Sequence, residues 1–221
     1  MDENAVALQK AITFLAMRLG VKKIGFADLS GIGLNLADRF PRGIALIIPM
    51  DAAIVGGAAE PAFFEHQVRQ REELEAVKVE LGKLLAAHGY RFHPVSNDMD
   101  PGRLTGELSH KMVANIAGQG WIGKSTLFVT PEYGPRVRLT SLLTDAPFST
   151  RAVPLAGRCG DCDLCAAACP AGAIRNVEWR PGLCREELLD VGRCMDYRHR
   201  RGDGTRRFSC ACCLNACPAG R

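Results

Sequence analysis

The sequence predicts an α+β protein in two parts, an N-terminal α/β sandwich over residues 1–148 and a small cysteine-bearing domain over residues 149–221. Three observations predict it. Segments with helical and strand periodicity follow one another as helix, strand, strand, helix, strand before residue 96, the pattern of a mixed layered domain. All ten cysteines lie between Cys159 and Cys217. From about Ala146 the composition turns to Pro, Gly and Cys, which marks the boundary.

Taken in order, Val6, Leu8, Ile12, Leu15, Ala16 and Leu19 recur at helical spacing, and Gly20 supplies a stop. KIGFADL (23–29) reads as a strand. After the Phe40-Pro41-Arg42-Gly43 break, IALIIPM (44–50) is a short apolar run of the kind buried on both faces of a sheet. Residues 63–89 form a long amphipathic helix ended by Gly89, and YRFHPV (90–95) is a further strand. A polar loop (96–106) leads to a helix over about 107–117. A glycine-punctuated turn, GQGWIGKS, comes next, and then LFVT and RLTSLLT, read as a pair of strands joined by PEYGP.

Composition narrows the class. Hydrophobic residues make up 47% and charged residues 24%, ordinary for a folded globular chain. No apolar stretch approaches the ~20 residues that span a bilayer, and the acidic, amphipathic start is no secretory signal. The expected location is the cytoplasm, with no membrane partner. A reducing compartment and the cysteine-free first 158 residues both argue against a disulfide scaffold. The net charge of +4 belongs wholly to residues 151–221, which hold twelve Arg against eight Asp and Glu. That excess balances anionic cofactors.

Cys159, Cys162, Cys165 and Cys169, followed by Pro170, spell C-x2-C-x2-C-x3-C-P, an iron–sulfur signature. Three thiolates at three-residue steps wrap one 4Fe-4S cluster, and the fourth points to another. A second motif, Cys210-x2-Cys213-x3-Cys217-Pro218, has Arg207 where a further cysteine would stand. Crossover places Cys159, Cys162, Cys165 and Cys217 on one cluster, and Cys169, Cys210 and Cys213 on the other. The missing ligand comes from Cys194, Cys184 or Cys212; cysteines left over pack as small apolar residues. Two zinc sites are the competing reading, and three thiols at successive three-residue steps before x3-C-P fit zinc ribbons poorly.

Residues 118–125 formally match the phosphate-binding pattern G-x4-G-K-S. That motif needs a strand before it and a helix after it, and here the order is reversed. Nucleotide binding is not expected.

The segments AGQGWIGKSTLFVTPEYGPRVRLTSLLTDAPF (117–148), CGDCDLCAAACPAGAI, RCMDY and SCACCLNACP together resemble the epoxyqueuosine reductase family and the related reductive dehalogenases. The resemblance covers about 105 residues from position 117 onward. It implies a cobalamin-binding-like α/β domain followed by a two-cluster, bacterial-ferredoxin-like domain, in a short form without the C-terminal repeat region of the tRNA-modifying enzymes. It also favours Cys194 as the missing ligand. The implied chemistry is that of a corrinoid-dependent oxidoreductase, in which the clusters feed electrons to cobalamin for reductive removal of oxygen or halogen.

On this resemblance Gly118, Gly120 and Gly123 let backbone approach a flat ligand, Trp121 offers an apolar surface, and Lys124 and Ser125 bond corrinoid amides or phosphate. Tyr133 is the candidate proton donor, with Arg136 and Arg138 beside it. The family's acidic residue falls near Leu104 here, and Asp98, Asp100 and Glu107 are out of register. His93 and His110 read as ordinary polar residues, and no D-x-H-x-x-G cobalt-ligand pattern is present.

The expected electron donor is a ferredoxin or flavodoxin, and the substrate is a small molecule or tRNA. RCMDYRHRRGDGTRRF (193–208), with six Arg among Tyr197, His199 and Phe208, is a candidate phosphate-contacting face. The alternative function is a non-catalytic electron carrier or reductive activator that docks a separate redox partner.

Overall fold

The computed structural model describes residues 3–57, 60–98, 100, 105–150, 155–202 and 210–220. Leu104, Arg207, Phe208 and the 203–206 part of the arginine-rich stretch lie outside the described residues.

The chain divides into two compact units. The first gathers Met1–Ile48, Gln70–Gln119 and Arg138–Leu155; the second gathers Pro49–Arg69, Gly120–Val137 and Ala156–Arg221. Along the chain the elements are α1 (Glu3–Arg18), β1 (Lys23–Asp28), α2 (Asn35–Arg39), β2 (Arg42–Pro49), α3 (Ala52–Gly57), α4 (Glu60–Ala87), β3 (Phe92–Pro94), α5 (His110–Ile116), β4 (Trp121–Ile122), β5 (Phe128–Val129) and β6 (Val137–Thr144). The cysteine-bearing part adds α6 (Leu164–Ala167), α7 (Arg185–Leu188), α8 (Val191–Arg201) and α9 (Cys212–Ala216). Among the described residues no helix is long and apolar enough to cross a membrane.

In the first unit the four-stranded sheet runs β1-β2-β6-β3. β1 and β2 pair antiparallel with Phe26 opposite Ile44, and β3 and β6 antiparallel with His93 opposite Leu143. Side chains four apart on α1 (Leu8, Ile12, Ala16) and at helical spacing on α4 (Leu74, Val77, Leu81, Leu85) pack with Ile44, Leu46 and Ile48 of β2, Leu142 of β6, and Phe148. Residues 44–48 of β2 are all buried, so the apolar run is enclosed on both sides as its sequence predicts. Leu19, counted with the apolar stripe of α1, stays exposed past the helix end.

One strand pairing departs from the sequence reading. β5, from LFVT, pairs antiparallel with β4, Trp121 facing Val129 and Ile122 facing Phe128, whereas β6 joins the main sheet. The PEYGP segment is closed as a small loop by reciprocal hydrogen bonds of 2.9 Å between Thr130 and Gly134. The GQGWIGKS segment is preceded by helix α5 and followed by strand β5, the reverse of a nucleotide-binding loop.

Candidate metal centre

Two short helices frame the cysteines of the second unit. α6 begins after Asp163, and its turn closes with Cys169 N–H donating to the Ala166 carbonyl at 3.1 Å. α9 ends at Cys217, whose successor Pro218 has no N–H to continue a helix. α6 packs against α9. The second half of each cysteine run is thereby laid beside the other run.

All ten cysteines are free thiols. Cys184 and Cys212 are exposed and the other eight half-buried. Their mutual influence sorts those eight. Burial raises the Cys165 thiol pKa, and Cys159, Cys217 and Cys162 push it further. Burial also raises Cys217, with Cys159 and Cys162 adding to the shift while the Ala219 amide and Arg136 oppose it. Cys213 is pushed up to about 12, first by burial, then by Cys210, Cys169, Cys194 and more weakly Cys165. Cys194 is raised by burial and by Cys169 and Cys210, against the pull of Arg198. Cys212 also feels Cys210 and Cys169. These influences gather Cys159, Cys162, Cys165 and Cys217 in one group and Cys169, Cys194, Cys210, Cys212 and Cys213 in another, with Cys165 also acting on Cys213. Cys184 stands outside both, its N–H donating to Glu187 Oε2 at 2.9 Å to start α7.

Among the described residues no three His, Cys, Asp or Glu side chains converge closely enough to hold a single ion. The first group takes three thiols from one loop and Cys217 from another segment, a donor pattern that fits the four-iron cube better than one tetrahedral ion.

The expected ligand-facing turn is instead packed inside the second unit. Lys124 is 6% exposed, and its Nζ donates to the carbonyls of Gly160 at 2.6 Å and Cys162 at 3.1 Å. Two of its N–H groups are thereby held by the first cysteine loop. A Cβ on Gly120 would run into the Val129 carbonyl, so that glycine serves the β4–β5 pairing. Ser125 is buried, and its Oγ accepts from Leu127 N–H at 3.4 Å. Trp121 is buried, with the Arg158 guanidinium over its ring at 5.8 Å and its indole N–H without a partner. Tyr133 is half-buried, its N–H donating to Thr130 Oγ1 at 3.0 Å. Arg136 Nη1 donates to the Cys217 carbonyl at 3.2 Å and Nη2 to that of Ala219. Arg138 belongs to the first unit, where burial and the nearby Arg71 lower its pKa.

Two residues escape the sequence reading. Glu178 Oε1 accepts from Cys159 N–H at 3.2 Å, and Gly157 leaves the room that its carboxylate fills. Arg158 covers Trp121. Both act through partners distant in sequence, and no local pattern announces either.

Residues 158–220 match the family model described as a 4Fe-4S double cluster binding domain. The epoxyqueuosine reductase of Listeria monocytogenes is 38% identical over 118 residues, which cover 53% of this chain and 31% of that protein. A crystal structure of epoxyqueuosine reductase with an epoxyqueuosine-modified tRNA stem loop aligns over 98% of the chain and 66% of its own, at TM-score 0.64 and 23% identity. A reductive dehalogenase whose structure suggests a mechanism for B12-dependent dehalogenation aligns over 96% of the chain and 31% of its own, at TM-score 0.73 and 20% identity. The fold of the whole described chain is therefore shared with both groups, while recognisable sequence identity covers about half of it. The chain is thus similar to the epoxyqueuosine reductases over about half of its own length, spans about a third of the length of those curated relatives, and matches a 4Fe-4S double cluster binding domain over residues 158–220.

Proposed function

We propose that this chain is an iron–sulfur oxidoreductase of the epoxyqueuosine reductase kind. Two 4Fe-4S clusters are held by Cys159, Cys162, Cys165 and Cys217, and by Cys169, Cys194, Cys210 and Cys213. Bound there, the clusters supply one-electron chemistry at low potential. One observation carries the reading: α6 packs against α9, so each cysteine run lends its last thiol to the other. The proposed layout has a two-cluster domain after a mixed α/β sandwich domain, with a boundary near residue 148.

Cobalamin enters on the likeness to the dehalogenase fold alone. Lys124 bonds the first cysteine loop, Gly120 packs on Val129 and Ser125 accepts from Leu127, and no residue is assigned to holding it. No step is assigned to it. The proposed donor is a ferredoxin or flavodoxin, the proposed compartment the cytoplasm, and tRNA the proposed substrate class, by analogy with the stem-loop complex of the relative.

The test is the cofactor content of anaerobically purified protein. Brown protein with iron and sulfide sufficient for two clusters is the expected result. Colourless protein that holds zinc in place of iron overturns the cluster reading. Clusters without any retention or spectral perturbation of added cobalamin leave an electron carrier, the competing function.

A further inference from the structure

Lys124 presents a physical problem that the rest of the second unit does not answer. A buried ammonium costs several kcal/mol unless paired and hydrogen-bonded. Two of its N–H groups donate to the carbonyls of Gly160 and Cys162, yet among the described residues no carboxylate pairs with it. Its charge stands uncompensated in the protein alone.

The turn that presents it is also strained. Thr126, β-branched and buried, holds φ at 63°, with its N–H donating to the Gly123 carbonyl at 2.8 Å. Such a backbone costs about 1–3 kcal/mol and persists only where its surroundings impose it. One residue before Lys124, a Cβ on Gly123 would stand 3.6 Å from Cys159 Sγ, so the turn lies on the first thiol.

Arg136 repeats the arrangement at the other segment of the same set. Its guanidinium is forked across the carbonyls of Cys217 and Ala219. Gly134 and Gly220 permit the approach: a Cβ on Gly134 would strike the Ala219 carbonyl, and one on Gly220 would strike the Gly134 nitrogen. Cys159, Cys162 and Cys165 come from one stretch and Cys217 from another, and each stretch is gripped by one cation from the WIGKS-to-PRVR region.

We propose that Lys124 and Arg136 are paired positioning residues for the Cys159/Cys162/Cys165/Cys217 set, fixing the backbone of its two segments and placing two permanent positive charges beside it. The inference rests on the cluster reading given above. A four-thiolate cluster carries net negative charge, and nearby charge and hydrogen bonds set its potential. The pair therefore favours the reduced, more negative state at this site, and compensates the buried ammonium. Arg198 supplies a cation beside Cys194 of the other set, so the Lys124 and Arg136 charges act on the potential of the Cys159/Cys162/Cys165/Cys217 site.

The experiment uses the full chain, reconstituted anaerobically with iron and sulfide, as wild type, Lys124→Met, Lys124→Arg and Arg136→Lys. Redox titration followed by electron paramagnetic resonance gives the two potentials, and alkylation followed by mass spectrometry gives the exposure of Cys159 and Cys162 during chelator challenge. Lys124→Met is expected to weaken reduction of one cluster about tenfold, equivalent to ~59 mV for one electron, and to speed alkylation of Cys159 and Cys162 but not Cys194. Lys124→Arg and Arg136→Lys keep the charge and are expected to shift the potential far less. Selective loss of one cluster in Lys124→Met also supports the pair. Equal shifts at both clusters, loss of both together in the charge-keeping variants, or no change in any variant overturns it. A wild type that takes up no iron instead overturns the underlying cluster reading.

Discussion

Gly82 of α4 lies against the ring of Phe92, so close that a Cβ on the glycine would stand 2.5 Å from Cε2 and 2.7 Å from Cζ. Two effects oppose each other at this position. Alanine in a helix interior is favoured over glycine by about 1 kcal/mol. The same methyl group would have to displace a ring packed against the first unit's core, at a cost of about 1–3 kcal/mol. The steric term wins. Gly82→Ala is expected to lower the midpoint of urea unfolding, and a raised midpoint would show that the ring yields freely.

The first unit carries a pH switch of predictable sign. Burial, and next the Lys78 ammonium, lower the pKa of His110 to about 4, against 6.5 for a free imidazole; a hydrogen bond to the Ser96 backbone, then Glu75 and Glu107, pull the other way. The fold therefore prefers the neutral ring. Unfolded chains take up the proton first as pH falls, so His110 contributes nothing adverse above about 6.5 and costs stability progressively from there to about 4. The full cost is of order 3 kcal/mol. Denaturant unfolding at pH 7 and pH 4.5 should show a larger loss in wild type than in His110→Gln, and equal losses would assign the acid sensitivity elsewhere.

Cys194 and Cys184 make opposite predictions. Cys194 shares its electrostatic surroundings with Cys169 and Cys210, whereas Cys184 is exposed at the start of α7. Cys194→Ser should remove about half of the iron and sulfide and one of two resonance signals. Cys184→Ser should leave both intact. The reverse outcome would move the fourth ligand to Cys184.

What the sequence disclosed and what it concealed divide by range. Helical spacing marked α1 and α4, and the apolar run of residues 44–48 marked a doubly covered strand, because burial leaves a local period. Cysteine spacing marked both runs because thiols that serve one site recur at short fixed steps. The partner of β5 was concealed, since a two-residue strand carries no period and the Thr130–Gly134 closure decides the matter. The acceptors of Lys124 were concealed because they lie 36 and 38 residues along the chain. Nothing in GWIGKS distinguishes a lysine that reaches a ligand from one that grips a loop.

Removal of iron should unfold the cysteine-bearing segments selectively. Among the described residues from 156 onward, the buried hydrophobic side chains are Ala173, Leu188 and Leu214, with Leu214 joining Met50, Val55 and Phe63 in the second unit's small apolar cluster. The first unit has a much larger core drawn from α1, α4 and the sheet. A segment with so little apolar burial cannot offset the ~1–2 kcal/mol per residue of backbone entropy that order costs, and metal–thiolate bonds supply the difference in small domains of this kind. Hydrogen exchange before and after anaerobic chelation is the measurement. Amides of residues 158–200 are expected to lose protection while those of α1 and the Gln70–Ala87 part of α4 keep it. Retained protection across the cysteine segments would mean that Lys124, Arg136 and the small apolar cluster suffice to fold them without metal.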